Sequence, residues 1–439
     1  MARIAIMTPP LAGHLGALSA LAGRLIDRGH ELTLIGPADA KRWLRDERIG
    51  FHAIGAGSHP PGALARDAKR MGRLQGLLGV PGMIRDLAAL TELHCREAPG
   101  ALRAIGADAA IVDQLEPGGA VAALAAGVPY STVATGLHVN KERLVPPPFV
   151  GWRYDPTERG AWKVRGAYRV SDRLMAPIGD ALQRWCTRYG LPPARDAADL
   201  VSPLCDMTQG VPLIDYPRAS LPRTFHYVGP LRSPATEAFP DLDRLDPSRP
   251  LAFCSLGTLQ GGRERLLRRI GLAALDEGCS VVLVHCGGLD AGAERALADE
   301  MGPNALVRDF VPQRAVLARA NLAVVHGGFN TVLDALSHRT PMVVLPLAFE
   351  QPAIAARLER AGVAERLTPQ LATRGRLRQA IRRVRDAPGI DERLGAVAGE
   401  IEAASGAERA ADLVETILPA GAMATASPAA DGVELRRAS

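Results

Sequence analysis

The chain has 439 residues, of which 47% are hydrophobic and 23% charged, and a net charge of +5. That balance excludes a disordered chain, and the length exceeds one ordinary core, so two domains of about 200 residues each are expected. Basic and acidic residues alternate along most of the sequence, which leaves no nucleic-acid footprint.

The first element is a short apolar strand from Arg3 to Thr8, with no basic leader and cleavage site ahead of it, so export is not expected. After the loop of Pro9 to His14, the residues Leu15, Leu18, Leu21, Ala22, Leu25 and Ile26 recur at helical spacing. Gly29 closes that helix, and Glu31 to Gly36 is the next strand. Strands are also expected at Phe51–Ile54, Ala109–Val112 and Tyr130–Val133. The apolar stretch from Ala120 to Leu137 is diluted by Gly127 and Pro129, and fits a buried helix leading into a strand better than a membrane span.

Between these lies a basic, partly apolar segment, Arg66 to Arg73 followed by Leu74, Leu77, Leu78, Val80, Met83 and Ile84, which could touch an anionic membrane surface. His30 and His59 read as surface histidines. The six cysteines, Cys95, Cys186, Cys205, Cys254, Cys279 and Cys286, form no CxxC pair and read as reduced thiols of a cytoplasmic protein.

A Pro-rich stretch over 226–250 is the expected interdomain linker. The strand rhythm then restarts at Leu251–Ser255, Val281–Val284, Leu306–Val307, Leu322–Val325 and Met342–Leu345. Residues 420–439, rich in Ala, Gly and Ser, read as a disordered tail. Strands alternating with helices imply parallel, doubly wound sheets. The expectation is therefore an α/β chain of two Rossmann-like domains, 1–225 and 251–419, facing each other across a cleft. Ligands in such sheets sit outside the C-terminal strand ends.

Chemistry concentrates at those ends. After the strand Leu322–Val325 come His326, Gly327, Gly328, Phe329, Asn330 and Thr331, then a helical pattern through Leu336. Two glycines let the backbone approach an anion closely, and a helix start offers it unpaired N–H groups and a positive dipole end. This is a phosphate cradle without a Walker lysine, and no metal ligands accompany it. His14, in the loop after the first strand, and Asp113, after the strand Ala109–Val112, lie at C-terminal ends of one sheet. They have the composition of a general base oriented by a carboxylate. Asp241 and Asp243 form a DxD pair of the metal-holding kind, but they follow no strand and read as solvated charges.

The run from Phe310, Val311, Pro312 and Gln313, through the 326–331 cradle, to Pro346, Leu347, Ala348, Phe349, Glu350 and Gln351 resembles the donor-binding box of UDP-sugar glycosyltransferases with the GT-B architecture. The resemblance implies that Phe310 stacks near the uracil, with Val311 beside it, and that Gln313 meets the base's polar edge. It implies that His326, Gly328, Asn330 and Thr331 hold the diphosphate, Asp334 the ribose, and Glu350 and Gln351 the sugar hydroxyls. Gly257 and Thr258 would approach the donor from the loop after Ser255. Phe310 stands where the family often has Trp, and Asp334 where it has Glu. His14 and Asp113 match the family's base and its partner, implying a metal-free, inverting transfer with UDP-glucose as donor substrate and no cofactor.

Five further stretches, 50–54, 58–64, 112–118, 255–260 and 345–352, resemble a carotenoid-glucosylating branch of that family. Glu350 stands where that branch carries Asp. The acceptor implied is a hydroxylated apolar molecule, here a carotenoid, bound by the N-terminal half. A macrolide, polyketide or sterol acceptor stays open, as does a UDP-sugar epimerase or a sugar-binding module of the same architecture.

Overall fold

The computed structural model describes residues 1–63, 80–234 and 237–420. The segment expected to meet a membrane lies outside the described residues as far as residue 79, and so does the 420–439 tail beyond its first residue.

The first sheet has seven parallel strands, β1 (Arg3–Met7), β2 (Glu31–Pro37), β3 (Gly50–Ile54), β4 (Ala109–Asp113), β5 (Tyr130–Ala134), β6 (Asp206–Thr208) and β7 (Phe225–Tyr227), in the order β3-β2-β1-β4-β5-β6-β7. The second has six, β8 (Leu251–Ser255), β9 (Ser280–Val284), β10 (Ala305–Arg308), β11 (Leu322–Val325), β12 (Met342–Val344) and β13 (Ala364–Arg366), in the order β10-β9-β8-β11-β12-β13. All the pairings are parallel. Helices cover both faces, so the central strands are buried throughout, as in the BBBBB burial of β4, β8 and β9. The Ala12–Asp27 helix buries Leu15, Leu18, Leu21, Ala22 and Leu25, the stripe its spacing predicts.

In each sheet the strand order reverses once, between β1 and β4 and between β8 and β11. Loops leaving neighbouring strands toward opposite faces diverge at such a point and open a crevice at the C-terminal ends. The fold thus supplies two crevices, and they face each other: Asn330 Nδ2, in the second domain, donates to the Gly13 carbonyl of the first at 2.9 Å.

Several expectations need correction. β7 belongs to the first sheet, so the linker starts after Tyr227, not at 226. Its later part is docked rather than free: Leu242 and Leu245 are buried in the second domain's core. Asp241 and Asp243 do lie at the surface as expected, in a short helical turn where they pair with Arg308 at 2.6 Å and Arg319 at 2.9 Å. The span 251–419 is not one domain, because the Gly406–Glu415 helix crosses back. Its Ala407, Ala410, Ala411, Leu413 and Val414 pack into the first domain's core with Leu18, Leu21 and Leu25. Arg28 clamps the same helix through Glu408, Asp412 and Glu415. His30 is not a surface residue: it is 8% exposed, accepts from the Ala2 amide and meets Glu415 at 3.1 Å. All six cysteines are free, and only Cys286 is not fully buried.

Candidate active site

β1 and β4 end side by side at the first reversal. Asp113 is the last residue of β4 and has no exposed surface. His14 lies in the first turn of the Ala12–Asp27 helix, not in the loop before it. Its Nδ1 is 2.8 Å from Asp113 Oδ2, and its side chain keeps 14% exposure. Thr8 and Thr135 both donate to Asp113 Oδ2, at 3.0 and 2.8 Å, and the Leu115 amide donates to Oδ1 at 2.9 Å. Thr135 Oγ1 also lies 2.6 Å from His14 Nδ1.

A carboxylate with this many donors accepts from Nδ1–H, which leaves the Nε2 lone pair available as a base. Burial opposes charge on His14, but the Asp113 charge and hydrogen bond, helped by the Glu350 charge, raise its pKa above 6.5. Burial likewise penalises the Asp113 carboxylate, yet His14 and the hydrogen bonds hold it below the usual carboxylate range.

The second reversal builds the opposite wall. His326 follows β11, and its ring lies between two glycines. A Cβ at Gly257 would come within 2.6 Å of it, and one at Gly328 within 2.5 Å. Gly257 also has φ +74, and Gly327, at φ +89, would press any side chain into Val344. Burial pushes the His326 imidazole down to about 4, and its Nδ1 is buried without a hydrogen-bond partner among the described residues. The ring is therefore neutral at ordinary pH. Beyond it the Phe329–Ser337 helix starts at Gly328, with no side chain capping its first N–H groups. A neutral imidazole beside an uncapped nine-residue helix offers hydrogen-bond donors and a positive dipole end of the kind that suit an anion.

The other donor-side residues are brought to the same wall, several of them already engaged. Phe310 is 54% exposed, an aromatic face without cover, and Val311 beside it packs on the core. Gln313 donates to Asp334 at 2.7 Å and accepts from Thr331 at 3.1 Å. Asp334 is 6% exposed and holds Arg232 at 2.6 Å. As folded, its carboxylate therefore organises Arg232 and Gln313. Asn330 bridges the cleft to Gly13 and accepts from Gln209 at 3.2 Å. Gln351 Oε1 accepts from the Leu347 and Ala348 amides, at 2.8 and 2.9 Å, so only its amide group is free to turn to a ligand. Glu350 follows Phe349, which has φ 55, and its Oε1 would lie 3.2 Å from a Cβ at Gly136. It thus reaches across toward the His14 side. Thr258 lies in the turn after β8, next to Gly257.

Sequence reading missed Thr135, Gln209 and Arg232. Thr135 had a signal, since it follows β5 as Thr8 follows β1, and these two strands flank β4 and its Asp113. Gln209 follows a three-residue strand that periodicity does not reveal, and Arg232 sits among linker prolines. Among the described residues no cluster of three His, Cys, Asp or Glu is placed to hold a metal ion.

A histidine–carboxylate pair on one sheet facing an uncapped helix start on the other, across a cleft, is an arrangement suited to a two-domain nucleotide-sugar glycosyltransferase. Comparison with known proteins supports that class. A model of the family described as UDP-glucoronosyl and UDP-glucosyl transferase matches residues 207–394. A zeaxanthin glucosyltransferase of Pseudescherichia vulneris is 37% identical over 94% of this chain and 98% of its own. Another, of Pantoea ananas, is 35% identical over 96% and 97%. The crystal structure of the glycotransferase of kitacinnamycin superposes with a TM-score of 0.74 at 23% identity, covering 95% of this chain and 99% of that one. The chain belongs to the UDP-glucoronosyl and UDP-glucosyl transferase family and has the GT-B architecture of two facing α/β domains.

Proposed function

We propose that this glycosyltransferase moves glucose from UDP-glucose to the ring hydroxyls of zeaxanthin or a similar hydroxylated carotenoid. The observation that carries the acceptor is the pair of zeaxanthin glucosyltransferases that align with nearly the whole chain, including its N-terminal half. The chemistry rests on His14 and Asp113, 2.8 Å apart.

In this reading His14 Nε2 takes the acceptor proton as the oxygen bonds to the anomeric carbon. The bond from that carbon to the diphosphate breaks, and its electron pair leaves with UDP. His326 and the N–H groups at the start of the Phe329–Ser337 helix meet the departing charge in place of a metal ion. Asp113 holds the tautomer and stabilises the imidazolium. One in-line displacement inverts the centre, giving a β-glucoside from an α-linked donor.

Zeaxanthin has the same ring at both ends, and one cleft takes one end at a time. The monoglucoside must leave, reverse and rebind before the diglucoside forms. A chromatographic time course with UDP-glucose and lipid-dispersed zeaxanthin, with and without a chelator, tests the whole reading. The expected record is early monoglucoside, later diglucoside and no chelator effect. Turnover of a macrolide or sterol with none of zeaxanthin would replace the acceptor. A metal-restorable loss would remove the metal-free step.

A further inference from the structure

One surface of the N-terminal domain is unaccounted for by transfer. The Glu158–Leu174 helix buries a narrow stripe of Gly160, Ala161, Val164 and Ser171. Its outer face is unusual in composition. Trp162 is 68% exposed, Val170 61% and Leu174 41%, and Trp152, in the segment before the helix, is 44% exposed. At 100° per residue, Trp162, Val170 and Leu174 fall on one half of the helix together with Arg159, Lys163, Arg165, Arg169 and Arg173. All five bases are exposed, and none makes an ion pair with a described residue. The helix's two acidic residues are already taken, Glu158 by Arg143 and Asp172 by Lys141. Trp152 and Trp162, with Phe149 and Val150, line an open groove of about 440 Å³.

The patch adjoins the cleft. Gly151 lies against Pro352, where a Cβ would come 2.6 Å from the Pro352 carbonyl, and Pro352 directly follows Gln351. The Trp152 carbonyl accepts from Tyr216 Oη at 2.7 Å, and the Gly151 carbonyl from Arg366 at 2.7 Å. The patch is thus held rigidly beside the donor-sugar loop.

We infer that the Trp152–Trp162 face, with the five unpaired bases of the Glu158–Leu174 helix, docks the enzyme on an anionic phospholipid surface. Tryptophan is the side chain that settles at the headgroup level, and exposed bases around it are complementary to anionic lipid. Docking at this face would present the cleft mouth to a lipid-dissolved acceptor, and this consequence alone rests on the carotenoid reading.

The test is co-sedimentation of the full chain with vesicles, without donor or acceptor, so that its failure is separate from failure of the acceptor assignment. The protein is expected to sediment with phosphatidylcholine–phosphatidylglycerol vesicles, not with phosphatidylcholine alone, and to be released by salt. Trp162→Ala should lower partitioning roughly tenfold or more, and each of Arg165→Gln, Arg169→Gln and Arg173→Gln roughly fivefold. Unchanged UDP binding by these variants shows that they remain folded. Absence of binding to anionic vesicles overturns the inference, as does binding that ignores both lipid charge and these substitutions. Sedimentation velocity showing a dimer that Trp162→Ala dissolves would also overturn it, in favour of a self-interface.

Discussion

His14 and His326 stand beyond central strands of facing sheets, yet their surroundings drive them in opposite directions. Both rings are desolvated, which by itself lowers a histidine pKa. At His14 a fully buried carboxylate reverses that effect. At His326 nothing does, and two glycines admit the ring so closely that no side chain comes between it and the cradle. One imidazole is made a better proton acceptor, and the other is held neutral. A histidine's job is therefore legible from what is packed on its far side, not from its place on the fold.

The largest effect should come from destroying the first of these environments. His14→Ala is expected to lower kcat by about 10²–10⁴-fold while calorimetric UDP-glucose affinity stays unchanged, because the donor wall belongs to the other domain. Wild-type turnover would end the assignment. Asp113→Asn should cost somewhat less and should also move the acid limb of the rate–pH profile. In the wild type that limb lies above pH 6.5, since His14 must be neutral to act. Without the carboxylate, burial dominates and the limb shifts to lower pH. Stability runs the other way. Protonated His14 favours the fold below its unfolded pKa near 6.5, a contribution lost as pH rises through the raised folded value. A limb that does not move would show that Asp113 is not what sets the His14 pKa.

The contrast sharpens at the cradle. Gly328→Ala places a methyl 2.5 Å from the His326 ring and should displace it. A loss of about 1–3 kcal/mol in stability is expected, together with lower kcat. His326→Ala should depress kcat without that loss in thermal melting. If both variants keep full kcat, the ring does not meet the leaving group.

The smallest effects belong to the sugar loop. Glu350→Ala should raise the donor KM and weaken the preference for glucose over galactose. Gln351→Ala should do the same and also loosen the loop, because its Oε1 holds the Leu347 and Ala348 amides. Competition between UDP-glucose and UDP-galactose reads both. An unchanged preference would take these residues out of hexose selection.

Much of this was readable in the chain. β8 and β11 match their expected limits, because an apolar run bounded by polar residues has only one way to be buried on both faces. Asp113 and the 326–331 run were placed correctly at strand ends for the same reason, whereas His14 proved to lie one step further on, in the first turn of a helix. The three-residue strands β6, β7 and β13 were not seen, since each mixes polar and apolar residues over too short a run to show a period, whereas the equally short β12 is wholly apolar and was. Pairings such as Arg232 with Asp334, 102 residues apart, depend on how the domains meet, and no local pattern encodes that. The Gly406–Glu415 helix was not read from the sequence, and its apolar face by itself would announce only that it has a partner, not which one.

That returning helix bears on the order in which the molecule can be made. The core formed by Leu18, Leu21 and Leu25 is closed by Ala407, Ala410, Ala411 and Val414. A nascent chain that has emerged through its second sheet still has a first domain with an uncovered apolar flank. Domains are ordinarily completed from the N-terminus onward during synthesis, but here the earlier domain must wait for the later one. Its last seam closes only after the whole second sheet has been made. A chain stopped before residue 406 would carry an intact donor domain beside an acceptor domain prone to stick to its neighbours.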